Sequence, residues 1–163
     1  MDPTELVRAA QRGDALAMQE LLRLLTPYVG RLCGPIALDD GADAAQEALI
    51  AIFRNLRGLA EPAAVFGWAR AIAVREAVRV ARRARRAVPA EAAEVLAAVD
   101  VELGVDIRDV LDRLAPEHRA ILVLRDVEGL DEQAVAELLA VPAGTVKSRL
   151  FRARRSFRKE WGR

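Results

Sequence analysis

Apolar residues recur at intervals of three and four along most of this chain, and this feature constrains its fold more than any other. One such repeat consists of Leu21, Leu24, Leu25, Tyr28, Val29 and Leu32. With 3.6 residues per turn, this spacing places the side chains on one face of an α-helix. Strong helix formers, alanine and leucine among them, are abundant, and β-branched residues do not alternate over long stretches. The pattern predicts an all-α fold.

Glycine, proline and capping residues divide the helical pattern into two small domains. We expect an N-terminal domain over residues 1–87, an acidic linker over 88–105 and a C-terminal domain over 106–163. In the first domain, Gly34-Pro35 is expected to end the second helix at about Cys33. The third helix is expected to bury a stripe formed by Ala45, Ala48, Leu49, Ile52, Phe53 and Leu56. In the second domain, one helix is expected to begin at Pro116 and to stop at Gly129.

Charge is distributed unevenly, although the formal net charge is only +1. Residues 61–88 carry 7 basic and 2 acidic side chains, and residues 143–163 carry 8 and 1. The intervening residues 89–142 carry 4 basic and 13 acidic side chains. Two separate basic helices are typical of nucleic-acid binding, which the overall charge alone would not suggest.

The last basic block belongs to a predicted helix-turn-helix. Asp131 is expected to cap a short apolar helix, and a turn with Pro142 and Gly144 leads into a basic helix from about Thr145 to Trp161. Short polar and guanidinium groups on this helix suit base edges and phosphates. The DNA-binding residues predicted here are Thr145, Lys147, Ser148, Arg149, Arg152, Arg154 and Arg155.

Several classes of site are not indicated by the composition. The chain has one cysteine, Cys33, and one histidine, His118, so no internal disulfide and no typical zinc site is expected. No catalytic set and no phosphate-binding glycine loop appears, so we expect neither enzymatic activity, a cofactor nor a small-molecule substrate. We also expect no membrane span and no secretion signal, and therefore a cytoplasmic protein. A redox role for Cys33 is open, with burial in an apolar helix favoured.

The C-terminal sequence closely resembles region four of the extracytoplasmic-function RNA polymerase sigma factors, part of the sigma-70 family. The resemblance is carried by Gly144-Thr145-Val146-Lys147-Ser148-Arg149-Leu150 and by Leu114-Ala115-Pro116-Glu117-His118-Arg119 upstream. It implies that the last helix recognises the −35 promoter element and that the domain docks on the flap of the polymerase β subunit. An anti-sigma factor is a further partner that the resemblance implies.

The N-terminal sequence resembles region two of the same family. Asp43-Ala44-Ala45-Gln46-Glu47-Ala48 is similar to the motif that meets the β′ clamp helices of core RNA polymerase. The residues that this resemblance assigns to polymerase binding are Asp43, Gln46, Glu47, Ile50 and Arg54.

The segment from Phe66 to Ala73 resembles the helix that engages the −10 element, where an unstacked base is captured beside the preceding loop, here residues 57–68. The predicted −10 residues are Phe66, Trp68, Arg75, Arg79, Arg82 and Arg83. The family often has Asn where this chain has Arg75, and Asp where it has Arg79. Because arginine suits phosphates better than a base edge, the −10 sequence preference is open. The linker carboxylates Glu91, Glu94, Asp100 and Glu102 would mimic nucleic-acid charge, or would simply keep a spacer soluble.

Together these features predict a sigma factor that directs promoter recognition and transcription initiation, associated with the nucleoid when active. Two other functions stay open. A sigma-like decoy would bind an anti-sigma factor without binding DNA, but such proteins normally carry a receiver domain. A stand-alone helix-turn-helix regulator would bind an operator, but it needs no surface for the clamp helices.

Overall fold

The computed structural model describes residues 1–87 and 107–163, which cluster into two compact units, Met1–Ala77 and Val78–Arg163. Every regular element in these two ranges is helical, so the predicted all-α fold class is confirmed. The predicted linker at 88–105, with its four carboxylates, lies outside the described residues.

The first unit is built from three helices and the start of a fourth: α1 (Pro3–Gln11), α2 (Ala15–Ala37), α3 (Gly41–Asn55) and α4 (Val65–Ala87), which continues into the second unit. Asp14 begins α2 as predicted, since its carboxylate accepts a hydrogen bond from the Ala17 amide at 3.0 Å. Leu21, Leu25, Val29 and Ile36 of α2 are fully buried and form the core with α3 and α4 residues.

Helix α2 does not end at Gly34-Pro35, so that prediction was wrong. The helix continues to Ala37 with Pro27 and Pro35 inside it. A proline in a helix interior costs about 3 kcal/mol, but the added turn buries Ile36 completely. The end comes at Leu38, whose φ of 54° is incompatible with a further helical turn.

Helices α2 and α3 approach each other closely at two glycines. A Cβ atom built on Gly41 would lie 3.1 Å from the Gly34 Cα, closer than ordinary van der Waals contact. Gly30 of α2, by contrast, has nothing within 4 Å of the corresponding position. The sequence therefore needs glycine at position 41 for packing, but not at position 30.

We expect Gly41→Ala to destabilise the chain by about 1–3 kcal/mol, because the helices must move apart. The matched change Gly30→Ala is expected to stabilise it by up to about 1 kcal/mol, since alanine favours the helix. Urea denaturation of both variants gives the two free energies of unfolding. Equal effects in the two variants would contradict the close approach of α2 and α3.

Cys33 is fully buried, as expected, and its thiol lies 3.6 Å from the Ala73 carbonyl oxygen. Burial, with a smaller effect of the Glu76 carboxylate, raises the pKa of Cys33 to about 12. The thiol therefore stays protonated at neutral pH and is shielded from oxidants. These properties favour packing over redox sensing.

The second unit contains α5 (Ile107–Asp112), α6 (Pro116–Leu122), a π-helical turn (Val123–Val127), α7 (Glu132–Leu139) and α8 (Ala143–Trp161). The single helix predicted from Pro116 to Gly129 is thus interrupted by the π-helical turn. The Asp131 cap is confirmed, because its carboxylate accepts from the Ala134 amide at 2.7 Å. Helix α7 ends at Ala140, which adopts the left-handed conformation, and α8 begins two residues before the predicted Thr145.

Arg119 of α6 is the one charged residue in the described ranges that is buried, with 6% of its surface exposed. Its Nη1 atom donates to the carbonyl oxygens of Leu111, at 3.1 Å, and Leu114, at 2.6 Å. Burial lowers the pKa of Arg119, opposed by the nearby Asp112 carboxylate. The guanidinium satisfies carbonyl groups at the end of α5 and so fixes α5 against α6.

Candidate nucleic-acid interface

Helix α8 has a buried side and a basic outer side. Val146, Leu150 and Ala153 pack into the core of the second unit, and this spacing fixes the rotation of the helix. The predicted residues that are solvent-exposed on α8 are Lys147, Ser148, Arg152, Arg154 and Arg155. The exposed basic side of a helix-turn-helix second helix is the surface that enters the major groove.

The other two predicted residues of α8, Thr145 and Arg149, are half-buried and lie at the edge of this surface. The pKa of Glu117 on α6 is lowered. Burial raises it, but the backbone amide of Glu117, the Arg82 guanidinium and, least, the charge of Arg149 lower it more. Burial and the charge of Arg152 lower the pKa of the neighbouring His118. The lowered pKa disfavours the protonated form of His118 beside these arginines, although the Glu117 carboxylate opposes the shift.

Arg154 is held by an ion pair within the unit. Its Nη2 atom lies 2.5 Å from Asp126 Oδ1, and its Nε atom donates to Oδ2 at 3.3 Å. The pair ties α8 to the π-helical turn and raises the pKa of Arg154. DNA binding by Arg154 stays a prediction, and any phosphate at this position must compete with the Asp126 carboxylate.

Phe151 was missed by the sequence analysis. It lies on the exposed side of α8, among Ser148, Arg152 and Arg155, with 63% of its surface exposed. The available signal was its position, because Phe151 falls outside the buried spacing of Val146, Leu150 and Ala153. An exposed ring on a basic helix can contact a thymine methyl group in the major groove.

The predicted −10 residues on α4 have different environments. Arg75, Arg79, Arg82 and Arg83 are exposed and Trp68 is half-buried. Within the second unit, Arg82 forms an ion pair with Glu117. The environment of Phe66 differs from that of the arginines. Its ring packs edge-to-face on Tyr28 of α2, with the ring centroids 5.6 Å apart.

The loop that precedes α4 is held by a side chain from the first helix. The Gln11 amide donates to the carbonyl oxygens of Leu56, at 2.9 Å, and Leu59, at 2.8 Å. Glu61 then accepts from the Ala63 amide at 3.3 Å and begins a 3₁₀ turn at Pro62–Ala64. Of the predicted −10 loop, residues 57–68, only 57–64 precede the helix, because α4 begins at Val65.

Helix α3 presents the predicted polymerase-binding residues to solvent, except for Glu47, which is half-buried. Asp43, Gln46, Ile50 and Arg54 are exposed. The predicted apolar stripe was wrong at Phe53, which is 55% exposed. The helix is rotated so that its buried positions are Gly41, Ala44, Ala48 and Ile52. Phe53 and Ile50 therefore add exposed apolar area to the candidate partner surface, and exposed aromatic residues are enriched at interfaces.

Comparison with known proteins agrees with this arrangement. Residues 104–157 match the family model described as "Sigma-70, region 4". The chain is 33% identical over 174 residues to the ECF RNA polymerase sigma factor SigE of Mycolicibacterium smegmatis, covering 96% of this chain and 67% of that protein. It is 31% identical over 171 residues to the ECF RNA polymerase sigma-E factor of Haemophilus influenzae, covering 91% of this chain and 89% of that protein. The chain belongs to the ECF RNA polymerase sigma factors.

Two solved structures share the fold of this sigma factor. CnrH, in complex with the cytosolic domain of CnrY, aligns with a TM-score of 0.64 at 20% identity. The alignment covers 96% of this chain and 95% of CnrH. RpoE of Bartonella quintana, in complex with the anti-sigma factor NepR, aligns with a TM-score of 0.63 at 18% identity, with coverages of 87% and 94%.

The family assignment confirms the resemblance inferred from the sequence and the prediction of a role in transcription initiation. The region-four match spans α5 to α7 of this sigma factor and α8 as far as Phe157, and so includes all the predicted −35 residues. No helix of the described ranges combines the length and the apolar character that a membrane span requires.

Proposed function

We propose that α8 of this sigma factor reads the −35 element, that α4 and its preceding loop capture the −10 element, and that α3 binds core RNA polymerase. The observation that carries this proposal is the exposed basic side of α8, placed in a helix-turn-helix by the buried Val146, Leu150 and Ala153. Residues 1–87 and 106–163 would then act as two binding modules, joined by the linker at 88–105.

The −10 function is supported by charge and by exposed rings. Arg75, Arg79 and Arg83 on α4 are exposed and suit the phosphates of a single strand, and Phe66 and Trp68 provide ring surface for an unstacked base. Unstacking a base costs a few kcal/mol, which such contacts must return. With arginine at positions 75 and 79, we expect phosphate contacts to contribute more than base-edge contacts.

The polymerase contact is supported by the exposed part of α3. Asp43 and Gln46 supply polar groups near its start, while Ile50 and Phe53 supply apolar area further along. This mixture is typical of a protein–protein interface. We propose that α3 meets the β′ clamp helices and that the second unit docks on the β flap.

A regulatory partner is also proposed. Both solved neighbours are complexes, one with the cytosolic domain of CnrY and the other with the anti-sigma factor NepR. By analogy, an anti-sigma factor would bind this chain and cover its polymerase-binding surfaces. We propose a non-catalytic role in the bacterial cytoplasm, on the nucleoid when active, with no resident cofactor.

Binding of purified core RNA polymerase, followed by run-off transcription from a pool of promoter fragments, tests the proposal. Stable binding with promoter-dependent transcripts is expected, and the enriched sequences give both promoter elements. Binding without transcripts would contradict the −10 assignment. Failure to bind the polymerase would favour an operator-binding regulator or a decoy for an anti-sigma factor. The chain alone would bind DNA as a regulator but not as a decoy.

We expect Arg149→Ala to weaken binding of a −35 duplex by about 5-fold or more, the range for loss of one specific base contact. Because Arg149 is half-buried beside Glu117, the change also leaves that carboxylate with one cation fewer. A gel-shift series with the promoter recovered above measures the affinity. Equal affinities of variant and wild type would reject Arg149 as a contact.

A further inference from the structure

We propose that Tyr28 and Arg31 of α2, together with Phe66 of α4, form a binding site for one unstacked base of single-stranded DNA and its adjoining phosphate. This inference rests on the proposed −10 function and extends it to α2, a helix to which the sequence assigned no DNA contact. All three residues belong to the first unit, Met1–Ala77.

The geometry begins with two aromatic rings at the protein surface. The planes of Tyr28 and Phe66 are inclined by 72°, with centroids 5.6 Å apart. In an edge-to-face pair the faces of one ring are not covered by the other ring. Phe66 is 38% exposed and Tyr28 is half-buried. This pair is therefore a rigid, partly open aromatic surface rather than a piece of the core.

A cation stands beside the rings. The Arg31 Cζ atom lies 5.9 Å from the centroid of the Tyr28 ring, within the range of a cation–π contact. Residues 21–38 contain no Asp or Glu, and among the described residues no carboxylate lies within salt-bridge distance of Arg31. The exposed guanidinium is thus available to a phosphate from outside the chain.

Aromatic rings beside exposed cations are what a single strand requires. Bases stack on the rings without sequence preference, while the cation meets the backbone. Phe66 lies in the first turn of α4, directly after the proposed −10 loop, and Gln11 holds the start of that loop. A strand displaced from the −10 duplex along this loop would therefore pass close to the Phe66 ring and its neighbours Tyr28 and Arg31.

The test uses the complex of the full chain with core RNA polymerase. The probe is a fluorescein-labelled single-stranded 20-mer that carries the −10 region of a promoter recovered by the selection above. Anisotropy titrations compare wild type with Arg31→Ala and Tyr28→Leu. The matched control is Arg23→Ala, which removes the same charge from an exposed position of α2 where arginine already pairs with Glu20.

We expect both site variants to lose about 5-fold or more in affinity for the single strand, the lower range for loss of one stacked base. Arg31→Ala should also reduce the slope of log affinity against log salt by about 0.7, the value for one phosphate on a single strand. The control should change neither quantity, and binding to a −35 duplex should be unchanged throughout. Circular dichroism checks whether Tyr28→Leu is folded. If Tyr28→Leu does not fold, the test rests on Arg31→Ala, which changes an exposed residue.

Affinities equal to those of the control would overturn the site while leaving the proposed function intact. Weaker binding to core polymerase, with unchanged binding to the strand, would assign the cluster to a protein partner and also overturn it. If the wild-type complex gives no promoter-dependent transcripts, the proposed function fails together with this site.

Discussion

Arg152→Ala is expected to lower affinity for a −35 duplex by about 10-fold to 100-fold while leaving affinity for an unrelated duplex within about 3-fold, because a specific base contact contributes about 1–3 kcal/mol of discrimination. Arg152 lies on the exposed side of α8, one turn after Ser148, in the half of the helix that we propose to enter the groove. Competition titrations with specific and unrelated duplexes at one salt concentration measure both affinities.

Arg158→Ala is the matched control, since Arg158 is an exposed arginine in the last turn of the same helix. Its loss removes the same charge without removing a residue near the groove, so both duplexes should weaken equally. A parallel loss for both duplexes in Arg152→Ala would reduce that residue to a phosphate contact. The sequence preference of α8 would then have to come from Ser148, Arg149 or Phe151.

The second large effect is expected in the interior of the same unit. Arg119→Met should destabilise the second unit by about 1–3 kcal/mol, because the buried Leu114 carbonyl loses its donor. The part-buried Leu111 carbonyl also loses this bond but keeps the one from the Leu114 amide. Methionine keeps most of the apolar stem in place, so the loss reports the hydrogen bonds to Leu111 and Leu114 rather than a cavity. Amide hydrogen exchange in α5 and α6 locates the effect in this unit.

Arg113→Ala serves as its control. Arg113 pairs with Glu160 at 3.5 Å on the surface of the unit, and an exposed ion pair contributes about 0–1 kcal/mol. If Arg119→Met were as mild as Arg113→Ala, the α5 carbonyl groups would have to find water, and α5 would not be fixed by Arg119.

The fold class, the helix-turn-helix and two helix starts could be predicted from the sequence because they depend on local chemistry. Asp14 and Asp131 cap the helices that follow them, as their position before an apolar repeat predicts. The buried spacing of Val146, Leu150 and Ala153 likewise fixes the face of α8. The family assignment also followed from a short stretch of residues, since region four has a specific motif.

The remaining errors come from tertiary packing. Pro35 is a strong local stop signal, yet burial of Ile36 keeps α2 helical beyond it. Phe53 fits the apolar spacing of α3 as well as Ile52 does, and only contact with α2 decides which of the two is buried. The interruption of α6 by a π-helical turn has no counterpart in the spacing of apolar residues.

The candidate sites were predictable in part. The basic residues of α8 and α4 could be read from charge and resemblance, and the structure shows which of them are exposed. Their roles in binding stay predictions. No binding role was assigned to Phe151, Tyr28 or Arg31. For the two aromatic residues the reason is that an aromatic residue in a helix is as compatible with a core as with a surface. Only exposure and neighbours separate the two cases.

The two hydrogen bonds from Gln11 have an evolutionary consequence. A residue near the beginning of the chain holds the backbone of a loop about 45 positions later, so the two segments cannot vary independently. A relative that inserts residues between Leu56 and Leu59, at the start of the proposed −10 loop, must also change position 11 or lose at least one of the bonds. Divergence in promoter preference should therefore leave a correlated record in α1, a helix to which no DNA contact is assigned.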